Sequence, residues 1–258
     1  MRIDYFFLPA FAALVFACGG RGDGDTAVAS ATDAASALGS PAQDDAAEFE
    51  SLFDGASLDA HWHTYGGGDV GAAWAIAEDG GSFHLDAAEK DADGHVVGGG
   101  DIVTDASFDA YELILEWRIA DCGNSGIIYN VTESEEYPYP WMTGPEMQIL
   151  DDTCHPDAKI RTHRAGDLYD MVEGDSTAVR PAGEWNEARL VVRDGRVEHH
   201  LNGVRMVGYA NEGEAWEAMI AESKFAEMPG FGKTTGGRIA LQDHGDEVHF
   251  RNVRVREL

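Results

Sequence analysis

The sequence predicts an all-β fold: two antiparallel sheets packed as a jelly-roll sandwich, with a long loop insertion and one short helix. Three observations carry this. Short runs of alternating apolar and polar residues recur along the chain, the period-2 pattern of half-buried strands. Asp194-Gly195 and Asn202-Gly203 fall between such runs, and these dipeptides tolerate the positive φ of tight hairpins. So many strands over about 200 residues need two sheets to bury their apolar faces.

Taken in order, Phe83–Leu85 is the first clear strand and Tyr111–Ile119 the strongest. Gly126–Tyr129, Glu146–Leu150, Ala188–Arg193 and Val197–Leu201 follow, and Arg238–Gln242 and Val248–Arg256 close the chain. Ala215–Phe225 has helical spacing, with Trp216, Met219 and Ile220 on one side. Gly66–Gly68 and Gly98–Gly100 read as loops. The stretch from Asp151 to Pro181 has few strand signals, and a loop that long in a compact domain is usually functional.

The N-terminus reads differently. Met1-Arg2 precedes an apolar run from Tyr5 to Ala17, shorter than the roughly 20 residues of a membrane span, so residues 1–18 read as a signal peptide. Val15-Phe16-Ala17-Cys18-Gly19 resembles the bacterial lipobox, which makes Cys18 the lipidated first residue of an exported protein, periplasmic or anchored at the outer membrane. Phe16 is bulky for that motif, so plain cleavage near Ala17 and an uncleaved anchor stay open. Residues 19–47 are rich in Gly, Ala, Ser, Thr and Asp without apolar periodicity and read as a disordered linker. The folded domain then spans 48–258.

Charge narrows the partners. With 18 basic and 47 acidic residues the formal charge is 18 − 47 = −29, which argues against nucleic acid and anionic membranes. Membrane contact is expected only through the lipid anchor. No Gly-rich phosphate loop follows a strand, so a dinucleotide fold is not supported. Cys122 and Cys154 could pair in an exported protein or stay free thiols; the absence of a C-x-x-C pair speaks against a zinc ribbon.

Glu146 and Gln148 are two apart on a strand and share a face, with Met147 and Ile149 opposite. That suits a strand lining a cleft, or one whose polar side is merely solvated. Gln242 and His244 repeat the spacing, with Asp243 pointing the other way. Asp151 lies just past a strand end, as a site residue or a turn cap. Glu116 and Arg118 read as an ion pair under the cleft. Trp117 and Trp185 read as core.

An ordered set of segments carries a family resemblance: Ser51-Leu52-Phe53-Asp54-Gly55, Asn124-Ser125-Gly126-Ile127, Glu146 through Asp151, Gly183-Glu184-Trp185-Asn186, Leu201-Asn202-Gly203, Ile239 through Gly245, and Phe250-Arg251-Asn252-Val253. Over residues 48–258 the chain resembles the 3-keto-disaccharide hydrolase family, and Tyr137 through Tyr169 resembles a subgroup with an enlarged loop. The resemblance implies a concanavalin-like jelly roll, related in architecture to laminarinases. It also implies cleavage of glycosides oxidised to a ketone at C3, aided in some members by one divalent metal ion. A glycoside 3-oxidoreductase must then act upstream.

A C3 ketone acidifies the C2 proton. The chemistry needs a base near C2, a stabiliser for the enolate oxygen and an acid for the leaving oxygen; a metal can be the stabiliser. Glu146 is the candidate base or metal ligand, Gln148 a donor to the sugar, and His244 a base, acid or ligand. Asn124, Arg118, Gln242, Trp141, Arg164 and Tyr169 are candidate sugar contacts, Tyr137, Tyr139 and Trp141 being able to stack on a pyranose. Glu146, His163 and Asp151 are the candidate metal set. Two other readings stay open. One is a retaining glycosidase, for which Glu146-x-Gln148-x-x-Asp151 is a poor match to a paired-carboxylate signature. The other is a non-catalytic carbohydrate-binding module, since fold does not fix function.

Overall fold

The computed structural model describes residues 47–258; the expected signal peptide, Cys18 and all but the end of the expected linker lie outside the described residues. The described residues form thirteen strands and one α-helix. The strands are β1 (Glu50–Ser51), β2 (Trp62–Thr64), β3 (Trp74–Ile76), β4 (Phe83–Leu85), β5 (Ile102–Thr104), β6 (Tyr111–Ile119), β7 (Asn124–Val131), β8 (Glu146–Leu150), β9 (Asn186–Arg193), β10 (Arg196–Leu201), β11 (Val204–Ala210), β12 (Arg238–Leu241) and β13 (Val248–Glu257). The helix α1 is Glu214–Ala221.

Two antiparallel sheets result. The larger has eight strands, ordered β11-β10-β9-β6-β13-β4-β3 with β1 added along β13. The smaller has five, ordered β2-β5-β12-β7-β8. The expected all-β, two-sheet sandwich is therefore the observed one. Strands β1 to β5 run for only two or three residues, where alternation is a weak signal, and of these only β4 was expected.

Alternation decides which side chains meet between the sheets. On β6, Leu113, Leu115, Trp117 and Ile119 enter the core, where they meet Phe83, Leu85, Phe250, Met147 and Ile149. The intervening residues face away from it. There Glu112 pairs with Arg189 and Arg256, and Glu116 with Arg251, across neighbouring strands. The expected Glu116–Arg118 ion pair is thus replaced. Glu116 is taken by Arg251 and Asn252, while Arg118 Nη2 donates to His249 Nδ1 at 3.2 Å. Trp117 is fully buried as expected, but Trp185 is only half-buried, held between the guanidiniums of Arg118 and Arg251 at 5.0 and 4.2 Å.

The smaller sheet carries the candidate site. All eight residues of β7 and all five of β8 are buried on both faces, because a covering layer lies outside this sheet. Part of that layer is the long loop. Its Gly166–Tyr169 stretch runs along β8: Gly166 N–H donates to Gln148 O at 2.8 Å, Gln148 N–H to Asp167 O at 3.2 Å, and Tyr169 N–H to Glu146 O at 3.1 Å. This covers what would be an unpaired sheet edge.

The loop is tied to the core by a buried histidine. His199 Nδ1 lies 3.2 Å from Gly166 O, and its Nε2 lies 2.8 Å from the Tyr129 hydroxyl, which also meets Tyr209. A neutral ring satisfies both contacts, with Nδ1–H donating and Nε2 accepting. Burial pushes the His199 pKa down to about 4.

Candidate active site

Two adjoining cavities open on the outer face of the smaller sheet. The first, of about 510 Å³, is lined by Asn124, Trp141, Glu146, Gln148, Tyr169, Lys224, Phe225, Met228, Gln242 and His244. The second, of about 540 Å³, includes Thr64, Tyr65, His95, Asp101, Tyr139 and Asp243, and shares Trp141, Gln242 and His244 with the first. They are two lobes of one groove, and those three side chains stand at the junction.

Glu146 and Gln148 reach the first lobe because Met147 and Ile149 take the core face of β8. The Glu146 side chain crosses onto the neighbouring strand and occupies the space above Gly126, where any Cβ would overlap its carboxyl. Burial pushes this carboxyl up to about 8; the Lys224 charge pulls against that shift and Asp101 adds to it.

His244 and Gln242 lie beyond the last residue of β12, so strand alternation does not set them, and Asp243 faces the second lobe beside them. Bonds to neighbours place the three instead. Gln242 N–H donates to Gly126 O at 3.0 Å, Gly100 N–H to Asp243 Oδ2 at 2.7 Å, and Asn124 Nδ2 to His244 Nε2 at 3.4 Å. Burial lowers the His244 pKa, against the attraction of Asp246, so the ring is neutral at pH 7. Asn124 Oδ1 and Gln242 Oε1 are buried without hydrogen-bond partners. Such acceptors are costly unless something donates to them, and sugar hydroxyls have that capacity.

The second lobe has an aromatic wall and an acidic floor. Tyr139 and Trp141 stack with centroids 5.2 Å apart and planes 8° from parallel. Asp101 accepts from Asp243 N–H at 2.8 Å, and burial pushes its carboxyl up to about 7. Tyr137 faces elsewhere; its carbonyl accepts from the Tyr65 hydroxyl at 2.7 Å.

Seven of the residues expected at the site therefore converge: Asn124, Trp141, Glu146, Gln148, Tyr169, Gln242 and His244. Arg118 does not, because it lies on the other sheet and faces away from the core. Arg164 does not either: its Nε donates to Ala158 O at 2.9 Å, and it lines a separate cavity with Asp151 and Asp152.

The expected metal set does not form. Asp151 caps the end of the β7–β8 hairpin, its carboxylate accepting from Cys122 N–H at 2.9 Å and from the Thr153 N–H and hydroxyl at 3.0 and 2.7 Å. Burial pushes that carboxyl up, but these donors outweigh it and hold it below the usual range. His163 stands behind the groove, with Nε2 donating to Asp170 at 3.0 Å and its ring 4.3 Å from that of Tyr169. Among the described residues, the one group of three His, Cys or carboxylate ligand atoms within 4.8 Å of one another is Cys122, Asp151 and Cys154. Both of its sulfurs are joined in the Cys122–Cys154 disulfide. Among the described residues the donors present do not fit a bound divalent ion.

Lys224, Phe225 and Met228 in the first lobe, and Thr64, Tyr65, His95 and Asp101 in the second, are lining residues that sequence reasoning missed. Helix α1 stops at Ala221, earlier than the expected Phe225. Ser223 turns the chain, its Oγ donating to Ile220 O at 2.8 Å and accepting from Phe225 N–H at 3.1 Å. Phe225 is fixed by stacking on Phe231 at 3.9 Å. Lys224 N–H donates to Asp170 Oδ2 at 2.7 Å, and its Nζ sits 3.9 Å from the Tyr169 ring centroid.

Known proteins share this architecture. Residues 48–256 match the model of the 3-keto-alpha-glucoside-1,2-lyase-like domain. A 3-keto-disaccharide hydrolase of Bacteroides thetaiotaomicron is 30% identical over 235 residues, covering 83% of this chain and 80% of that one. A crystal structure of a candidate glycosyl hydrolase from Parabacteroides distasonis is 31% identical with a TM-score of 0.70, over 81% of this chain and 94% of that one. A Bacillus subtilis protein with a galectin-like fold, 11% identical over 82% of this chain and 96% of its own, shares the fold alone at a TM-score of 0.51. By sequence and by fold, the chain belongs to the 3-keto-alpha-glucoside-1,2-lyase-like family.

Proposed function

We propose that this protein cleaves glycosides whose sugar carries a ketone at C3, by removing the C2 proton and eliminating the C1 substituent. The observation that carries this reading is that Glu146 is the single carboxyl lining the first lobe. Direct hydrolysis by a retaining glycosidase wants two carboxyls about 5–5.5 Å apart at the scissile bond. Abstraction of a C2 proton wants one base of raised basicity, and burial supplies that to Glu146.

The oxidised ring occupies the first lobe, with hydroxyls donating to Asn124 Oδ1 and Gln242 Oε1 and with Gln148 in reach as a donor. The departing sugar lies in the second lobe against Trp141 and Tyr139. The ionised Glu146 takes the C2 proton, and the C–H electrons pass into C2–C3 as the carbonyl becomes an enolate. The enolate then collapses to form C1=C2, and the C1–O bond breaks. His244, at the junction of the lobes, is the acid: the fraction of the ring that has taken up a proton delivers it to the leaving oxygen. Addition of water across C1=C2 completes hydrolysis; release without it completes a lyase reaction. An upstream oxidoreductase must supply the ketone. The N-terminal segment supports an exported lipoprotein as the setting.

The test is turnover of 3-keto-trehalose beside trehalose, with and without chelator, on protein lacking residues 1–47. Cleavage of the ketone alone is expected. Cleavage of trehalose would favour a carboxyl pair, Glu146 with Asp101. Binding of both sugars without turnover would leave a carbohydrate-binding module. Loss of activity to chelator would require a metal at the groove.

A further inference from the structure

We propose that Lys224 is the electrophile of this site, its ammonium hydrogen-bonding the C3 carbonyl oxygen and holding the negative charge that forms there when the C2 proton leaves. The inference rests on the keto-glycoside reading above and supplies a stabiliser from the chain's own residues.

Three features of the site carry it. The first is location: Lys224 lines the same lobe as Glu146, so base and cation face one bound ring. The proton acceptor at C2 and a donor at the C3 oxygen must stand on adjacent carbons, and one lobe holding both meets that need. The second is what surrounds the ammonium. Its Nζ lies 3.9 Å from the Tyr169 ring and 5.1 Å from the Phe225 ring, and no carboxylate is within ion-pair distance of it among the described residues. The aromatic faces steady the charge without consuming its N–H donors, which stay available to the groove. The third is anchoring. Its backbone is held by Asp170 on one side and Phe225 is stacked on Phe231 on the other. A preorganised donor costs no reorientation when charge develops.

Asp170 follows Tyr169, whose own N–H donates to Glu146 O. Glu146, Tyr169 and Lys224 are thus linked, through the Tyr169 backbone and the Asp170 carboxylate. Partial burial lowers the Lys224 pKa, opposed by Glu146, Asp170 and Asp157. A weakly hydrated ammonium is a stronger donor to an enolate oxygen than one in bulk water.

The electrons balance without any further reactant. The C2–H pair becomes the C2–C3 π bond, the carbonyl π pair goes to oxygen, and the proton goes to Glu146. Lys224 keeps its own protons and lends a hydrogen bond.

The experiment compares wild type with Lys224→Met on a 3-keto-disaccharide, reading kcat and KM separately. It also follows exchange of the C2 proton of 3-keto-glucose in D2O, which needs no leaving group. We expect kcat and C2 exchange to fall together, by about 100-fold or more, with KM changing only a few-fold, while Lys224→Arg recovers part of the exchange. If Lys224→Met does not fold, acetylation of the folded wild type provides a second measurement. The chain has only four lysines, Lys90, Lys159, Lys224 and Lys233, so loss of exchange should track modification of Lys224 and be prevented by substrate. Full exchange in Lys224→Met, with wild type active, would overturn the role of Lys224 and leave the keto-glycoside reading standing. Wild type inert in both assays would overturn both. Trapping of a sugar on Lys224 by borohydride would replace the hydrogen bond with a covalent imine and so overturn the proposal in this form.

Discussion

Gly126 and Glu146 share one space: the Glu146 carboxyl lies where a side chain on Gly126 would begin. The two residues are on adjacent strands, Gly126 paired with Gln148 and Ile128 with Glu146. The missing Cβ lets the carboxyl lean across the sheet into the groove.

Gly126→Ala should therefore displace the Glu146 carboxyl while the rest of β7 keeps its pairing. We expect loss of most activity, with a destabilisation of about 1–3 kcal/mol from overpacking. Turnover and thermal melting of the variant check this. Wild-type activity in a folded Gly126→Ala protein would mean that the position of Glu146 is unimportant.

The pH dependence of the half-reaction should identify the base. Only the ionised form of Glu146 can accept the C2 proton, and burial pushes its pKa up to about 8. C2 exchange should then rise with pH through about 8 and level off above it. Cleavage of an alkyl glycoside, which also needs a proton on the leaving oxygen, should be bell-shaped. Exchange that falls through the same pH would make Glu146 an acid.

Stability should move the other way. A carboxyl whose folded pKa lies above its unfolded value favours the folded state at low pH and penalises it as pH rises toward the folded pKa. Glu146→Gln should melt higher than wild type at pH 9, on the order of 5 °C, and by much less at pH 5. Equal melting at both values would show that the carboxyl carries no burial penalty.

His199 sets the acid limit. Its folded pKa, about 4, lies below the unfolded value of 6.5. The stability it contributes is complete above 6.5 and is lost as pH falls through 4. His199→Gln should flatten the decline of Tm between pH 6.5 and 4, which melting curves across that range would reveal.

The disulfide joins Cys122 to Cys154 across a separation of 32 residues and brackets both ends of the β7–β8 hairpin. Reduction should cost about 3–4 kcal/mol, or roughly 6–16 °C in Tm for a domain of this size. Calorimetry with and without reductant measures it, and an unchanged Tm would mean that the bond does not constrain the unfolded chain.

Much of this was legible in the sequence because strand alternation is local. Met147 and Ile149 on one side of Glu146 and Gln148 defined which face of β8 lines the groove, and that face is the one observed. Arg118 fails for the same reason: alternation assigns a face but not a sheet, and its strand belongs to the larger one. Gln242 and His244 reached the groove although the regular strand ends before them, so their spacing pointed to the right place through the wrong geometry. Lys224 left no local signal. It sits one turn past a helix in an acidic stretch, and its meaning arises only when Asp170 and Tyr169 come to meet it. Asp151 and His163 have suitable chemistry for a metal, yet backbone donors and Asp170 claim them first.

The hydrogen-bonded thread from Glu146 through Tyr169 and the Asp170 carboxylate to Lys224 also bears on how the chain acquires its activity. The base, the wall and the cation come from stretches far apart in sequence, joined by contacts of the kind that form late because their loops must close first. Neither half of the groove can bind sugar productively before the other has docked. During folding the chain should remain chemically silent until its last long-range pairing is made, so recovery of turnover after dilution from denaturant should lag behind recovery of β-sheet signal.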